Sequence, residues 1–235
     1  DERSKTLGYA FLYSVMNLGI VAGELLSPLI RAYWAENFEG QDIAKNPSAG
    51  IAGAYWFFIA ITGIMLLINL LFFTRRVEDR DRRVIRKTQL KYDTSWFEKL
   101  RSLPILDVRF FFFISILLPV RTLFAHQFLT MPIFVERVYP AAVAAKWEWV
   151  YMINPIIIVV FVPMIAALTL KRKVVDMMIA GTAVSALSSF LLCTEPTVPW
   201  LVAYMVIFSL GEAVWSSRFL EYVADIAPVE RVGVY

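Results

Sequence analysis

Six stretches, each long enough to cross a bilayer and nearly free of charge, constrain this chain more than any other feature. They run from Leu7 to Ile30, Ile51 to Phe73, Phe110 to Val135, Trp147 to Leu170, Val174 to Leu192 and Trp200 to Tyr222. A hydrocarbon core about 30 Å thick is crossed by about 20 apolar helical residues. None of the six alternates polar and apolar residues over the length of a strand. Lipid offers no partner to open backbone groups, so helices are expected and an open sheet is not. Pro28, Pro119, Pro132, Pro155 and Pro163 fall inside these stretches and are expected to bend them. Composition agrees: 59% of the 235 residues are hydrophobic and 18% charged, an apolar excess that one soluble core of this size cannot hide. The expected class is all-α, a polytopic transmembrane helix bundle. Disorder is excluded, and the single cysteine, Cys193, allows no internal disulfide.

The lysines and arginines sort the connections between spans. One side of the membrane receives Arg3 and Lys5, the basic residues between Arg75 and Arg109, then Lys171, Arg172, Lys173 and Arg231, seventeen in all. The other receives only Arg31, Lys45, Arg137 and Lys146. Positive loops stay on the cytoplasmic side, so both visible ends and the segment 75–109 are expected in the cytoplasm. That segment is the one plausible domain boundary, dividing a two-helix part from a four-helix part. Its ordinary reading is a solvated linker. The cluster Arg80, Arg82, Arg83, Arg86 and Lys87 can also attract anionic lipid headgroups, and nucleic acid is the poorest fit. Trp96, Phe97, Leu100 and Leu103 within Ser95 to Leu106 have the spacing of a short amphipathic helix at the interface. The chain opens at Asp1-Glu2-Arg3 without an initiator methionine or targeting segment, and is expected to be part of a longer membrane protein.

Ionisable groups at membrane depth are costly, so each is a functional candidate. Glu24 lies in the first span, Arg121 and His126 in the third, and Glu212 in the sixth, accompanied by the amides Asn17, Gln127 and Asn154. Asn17, Asn154 and Glu212 fall near the centres of three different spans, so a bundle can bring them to one height. A carboxylate flanked by carboxamides suits the ammonium group of a small ligand, and a buried carboxylate can also take up a proton. The plainer reading is that the amides bridge helices and that Glu212 pairs with a base such as Arg218. Arg121 could compensate an acidic group in the cavity. His126, the only histidine, cannot form a histidine metal site; it either relays protons or bonds within its helix. Glu24 follows Gly23 and either takes part in proton coupling or serves a helix contact. No phosphate loop, no Cys/His cluster and no nucleophile with a base is visible, so neither an enzyme nor a cofactor or metal is expected.

Four stretches carry a family resemblance. Phe11-Leu-Tyr-Ser-Val-Met-Asn17-Leu-Gly19, Met152-Ile-Asn154-Pro155 with Pro163 following, Leu210-Gly211-Glu212 with Ala227-Pro228 following, and more weakly Leu118-Pro119 with Gln127, are similar to the fifth, eighth, tenth and seventh helices of the proton-dependent oligopeptide transporters, within the major facilitator superfamily. The resemblance implies helices five to ten of twelve. Residues 1–74 would then hold the last two helices of the N-terminal half, 75–109 the linker, and 110–235 the first four helices of the C-terminal half. It implies proton-coupled uptake of di- and tripeptides by alternating access around a midplane site. The peptide's amino terminus would lie at the positions matching Asn17, Asn154 and Glu212, with Gln127 and Arg121 lining the other wall and Glu212, His126 and Glu24 as proton-coupling candidates. A proton gradient would replace any cofactor. Arg121 to His126 stand where the family has aromatic and acidic residues. The alternatives are a carrier of another metabolite and a transporter-derived structural subunit of a larger membrane assembly.

Overall fold

The computed structural model describes residues 2–46, 48–72, 106 and 108–226, and among them there is no strand. The expected lipid-binding cluster Arg80 to Lys87, nearly all of the expected interfacial helix, and Ala227-Pro228 lie outside the described residues. Helix α1 is Glu2–Trp34, continued by a π-helical turn Ala35–Glu39. After it come α2 (Ile51–Phe72), α3 (Val108–Leu129), α4 (Met131–Val138), the short turn α5 (Ala141–Ala144), α6 (Trp147–Tyr151), α7 (Ile153–Leu168) and α8 (Val174–Ser188). A 3-10 turn, Ser189–Cys193, then leads to α9 (Val198–Ile226). Five of these stretches are long and apolar enough to cross a membrane: Thr6–Glu39, Ile51–Phe72, Trp147–Leu168, Val174–Cys193 and Val198–Phe219.

The differences from the expected spans have local causes. The first helix does not stop at Ile30 before the charge of Arg31; it runs through Arg31 and ends at Gly40, whose φ of 63° supplies the left-handed cap that favours glycine. The expected third span is built from two helices, α3 and α4, that meet at Thr130, and is not one of the five. Pro132 stands in the first turn of α4, where its missing N–H costs nothing, but it cannot continue the hydrogen-bond ladder of α3. Pro155 acts in the same way at Met152, separating α6 from α7. Pro28, Pro119 and Pro163 stay inside their helices.

Helices α8 and α9 meet backbone to backbone. A Cβ added to Gly181 would lie 2.6 Å from both the Gly211 carbonyl oxygen and the Trp215 nitrogen, and Ser185 Oγ donates to the Phe208 carbonyl across the same contact at 2.9 Å. Close approach through small residues is how helices associate where lipid removes the hydrophobic drive. Gly181→Ala is therefore expected to destabilise by about 1–3 kcal/mol. Thermal unfolding in detergent measures it against Gly63→Ala, where nothing lies within 4 Å of the added carbon and no loss is expected.

The burial of α1 repeats at alternating steps of four and three. Ala10, Ser14, Asn17, Pro28, Arg31 and Ala35 are buried, with Val21 and Glu24 half-buried between them. That is the seam of a coiled-coil-like contact; α1 packs against α7 and α9 and, at its Arg31 end, against α6. Ala10 joins Ile158, Val162 and Ala166 of α7 and Ala213 of α9 in one cluster. Buried Arg218 of α9 donates to the carbonyls of Thr169 (2.9 Å) and Arg172 (3.0 Å). A cation is favoured at a helix C-terminus, so Arg218 caps α7 and is not the partner of Glu212. Apart from Gly53 and Ala54, α2 is almost wholly exposed and apolar on every side, as a helix in lipid would be.

Candidate functional site

Glu212 sits at the crossing of α1, α7 and α9. Asn154 Nδ2 of α7 donates to Glu212 Oε2 at 2.7 Å, and the Tyr13 hydroxyl of α1 donates to Oε1 at 3.2 Å. The same Asn154 nitrogen lies 3.1 Å from Ser209 Oγ, whose own proton goes to the Met205 carbonyl one turn back. The amide is thus steered from α9 as well. A carboxylate has about four lone-pair sites, and these two donors occupy one on each oxygen. Acceptor capacity remains on both oxygens for a third party carrying N–H groups. Helix α9 supplies the carboxylate, α7 the amide and α1 the phenol, so the arrangement exists only while the three helices are packed together.

None of the other candidates makes a hydrogen bond to this carboxylate. Asn17 is buried on the same face of α1, but its amide donates to the Tyr13 carbonyl of its own helix at 2.9 Å. It therefore steadies the turn that presents the Tyr13 hydroxyl. Gln127 is buried and donates to the Tyr204 hydroxyl at 2.5 Å, tying α3 to α9, and its Oε1 is buried with no hydrogen-bond partner. Arg121 lies exposed on α3 with its guanidinium carbon 5.7 Å from the Trp215 ring centre and 5.6 Å from that of Phe219, the two rings being stacked at 4.6 Å. His126 is exposed, and its Nδ1 lies 2.7 Å from Thr130 Oγ1 one turn on; this is the within-helix arrangement. Glu24 is half-buried on the α1 seam, next to Gly23, where an added Cβ would stand in ordinary contact with Phe58 of α2 at 3.6 Å.

Several polar residues of the site were not among the sequence candidates. Tyr13 and Ser209 are each about one helical turn from a candidate, at i−4 from Asn17 and i−3 from Glu212, so the period of 3.6 places them on the same face. Arg31 and Glu148 form a largely buried ion pair between α1 and α6, with Arg31 Nε also 3.4 Å from the Ala49 carbonyl. Arg31 fell just outside a span whose end was drawn at its charge, and Glu148, at the start of the Trp147 to Leu170 span, was not singled out. No group of three or more His, Cys, Asp or Glu able to hold a metal occurs among the described residues.

The sequence model of the Major Facilitator Superfamily matches residues 1–235. The chain belongs to the major facilitator superfamily. Secondary transport is the functional class that goes with this membership, and the family is typically non-enzymatic. The all-helical architecture and the five membrane-length apolar stretches fit a partial major facilitator bundle and an integral, multi-pass membrane protein. No curated protein and no solved structure gives a significant match. For a superfamily carrier, polar side chains from several helices meeting at one height are the natural place to hold a solute.

Proposed function

We propose that this chain is the central part of a proton-coupled carrier of di- and tripeptides or similar amino-bearing solutes. Glu212 anchors the substrate's ammonium group, and Asn154 and Tyr13 orient the carboxylate that receives it. The observation that carries this reading is the Glu212 carboxylate held by donors from two other helices with acceptor capacity left on each oxygen. Ammonium groups supply the strongest neutral-pH donors such an acceptor can meet. The resemblance of the segments around Asn17, Asn154 and Glu212 to the oligopeptide transporters points the same way. Residues 1–74 and 110–235 are taken as portions of the two rocking halves, joined by 75–109 and oriented with that linker in the cytoplasm, as the charge bias favours. A carboxylate inside the membrane is costly when left charged and alone, so Glu212 takes a proton when the ammonium leaves, which links the two fluxes. Cluster Arg80 to Lys87 is proposed to rest on anionic headgroups.

Full-length protein in liposomes, given an inward proton gradient and labelled dialanine, is expected to accumulate the peptide. Uptake should fall to the leak level when the gradient is collapsed. Folded protein that takes up no peptide under a verified gradient would overturn this reading.

A further inference from the structure

At the end of the bundle that carries the α1–α2 connection, helices α1, α2, α4 and α6 line a cavity of about 310 Å³. Its charged lining residues are Arg31 of α1, Glu136 of α4 and Glu148 of α6, and its aromatic wall is Tyr55 and Phe58 of α2 with Trp147 of α6. That volume is at the lower end of the range in which proteins hold small ligands. None of Tyr13, Asn154 and Ser209, which hold or steer Glu212, lines it.

Two glutamates against one arginine leave the lining with one uncompensated negative charge. Arg31 is spent on Oε1 of Glu148, while Oε2 of the same carboxylate is buried and has no hydrogen-bond partner. A buried acceptor is costly to leave unsatisfied. Glu136 is exposed and forms no ion pair among the described residues. Glu24, two turns before Arg31 on the α1 seam, adds its negative field to that of Glu148. An anion is repelled by this balance, and a neutral molecule leaves it uncorrected. An ammonium group corrects it: the open carboxylate oxygen accepts an N–H, and ring faces attract the rest of the charge.

We propose that this cavity is a second ammonium site, one that takes a small primary amine with its charged head against Glu148 and Glu136 and its apolar body against Trp147, Tyr55 and Phe58. The site needs neither Glu212 nor transport, so it goes beyond the carrier reading above. Butylammonium titrated into detergent-solubilised full-length Glu212→Gln tests it, with butanol as the uncharged match. The readout is the part of the tryptophan fluorescence change that disappears when Trp147→Phe is added. A saturable change is expected for butylammonium, with butanol at least about tenfold weaker, as a hydrogen bond to a charged group implies. Arg31→Met together with Glu148→Leu removes the acceptor without stranding its partner and should abolish the change. Glu136→Gln, at an exposed position, should weaken butylammonium by about two- to fivefold. No saturable change, butanol binding as well as butylammonium, or a change that survives the paired Arg31 and Glu148 replacement at full strength would each overturn the inference. Peptide uptake judges the carrier reading separately: uptake without a Trp147 signal sinks this site alone, and a Trp147 signal without uptake sinks only the carrier reading.

Discussion

Glu148→Ala is expected to destabilise the protein by about 3–5 kcal/mol, more than any other single substitution considered. Arg31 and Glu148 are both largely buried and paired, and removing one side of a buried ion pair leaves the other charge without its counter-charge. The cost comes from the loss of that compensation for a buried guanidinium more than from the lost attraction. Arg31 has little freedom to escape, because its backbone is pinned by Gly50. That glycine has a φ of 71° and a Cβ position that would collide with the Arg31 carbonyl, so the turn into α2 closes directly on it. Replacing both residues together, as Arg31→Met with Glu148→Leu, is expected to recover most of the loss, since a packed apolar pair of similar volume avoids the desolvation of two ions. Thermal unfolding in detergent of the two single variants and the double variant measures the coupling. Additive losses would mean the two side chains do not depend on each other.

The second large effect is on transport. Glu212→Gln keeps the size of the side chain and removes its charge, so a bound ammonium group meets a neutral amide. A hydrogen bond to a charged group contributes about 1.5–3 kcal/mol, and each 1.4 kcal/mol is tenfold, which predicts a fall in kcat/KM for dialanine uptake of roughly 10- to 100-fold. Tyr13→Phe removes one of the two donors that orient the carboxylate and leaves the anchor in place; its expected loss is smaller, about tenfold or less. A Tyr13→Phe variant as impaired as Glu212→Gln would mean that the hydroxyl, and not the carboxylate, meets the substrate.

Much of this architecture is legible in one sequence because lipid allows so few structures. Twenty-residue apolar windows force helices, and the pairing of Asn154 with Glu212 follows once the spans are bundled, since both lie near mid-membrane and neither can stay unsatisfied. Three kinds of feature were not legible. Span ends were drawn at charges, which cut off Arg31, yet a buried partner on another helix lets an arginine stay inside α1. Proline effects depend on what each proline opposes: Pro132 and Pro155 divide spans, while Pro28, Pro119 and Pro163 are absorbed. The partner of a polar side chain is a tertiary fact, so spacing did not show that the Asn17 amide bonds the Tyr13 carbonyl one turn back or that the Tyr13 hydroxyl is what reaches Glu212. Likewise Arg218 was weighed as a partner for Glu212 and instead caps α7.

The account stands or falls on whether Glu212 reads an amino group. Competition by dialanine and by N-acetyl-dialanine, measured against labelled dialanine uptake in liposomes carrying the full-length protein, addresses this directly. For wild type, acetylation is expected to weaken competition by roughly 10- to 100-fold. For Glu212→Gln the two competitors should become nearly equal, both weak. A Glu212→Gln variant that still rejects the acetylated peptide as strongly as wild type would place the amino group elsewhere and contradict the account.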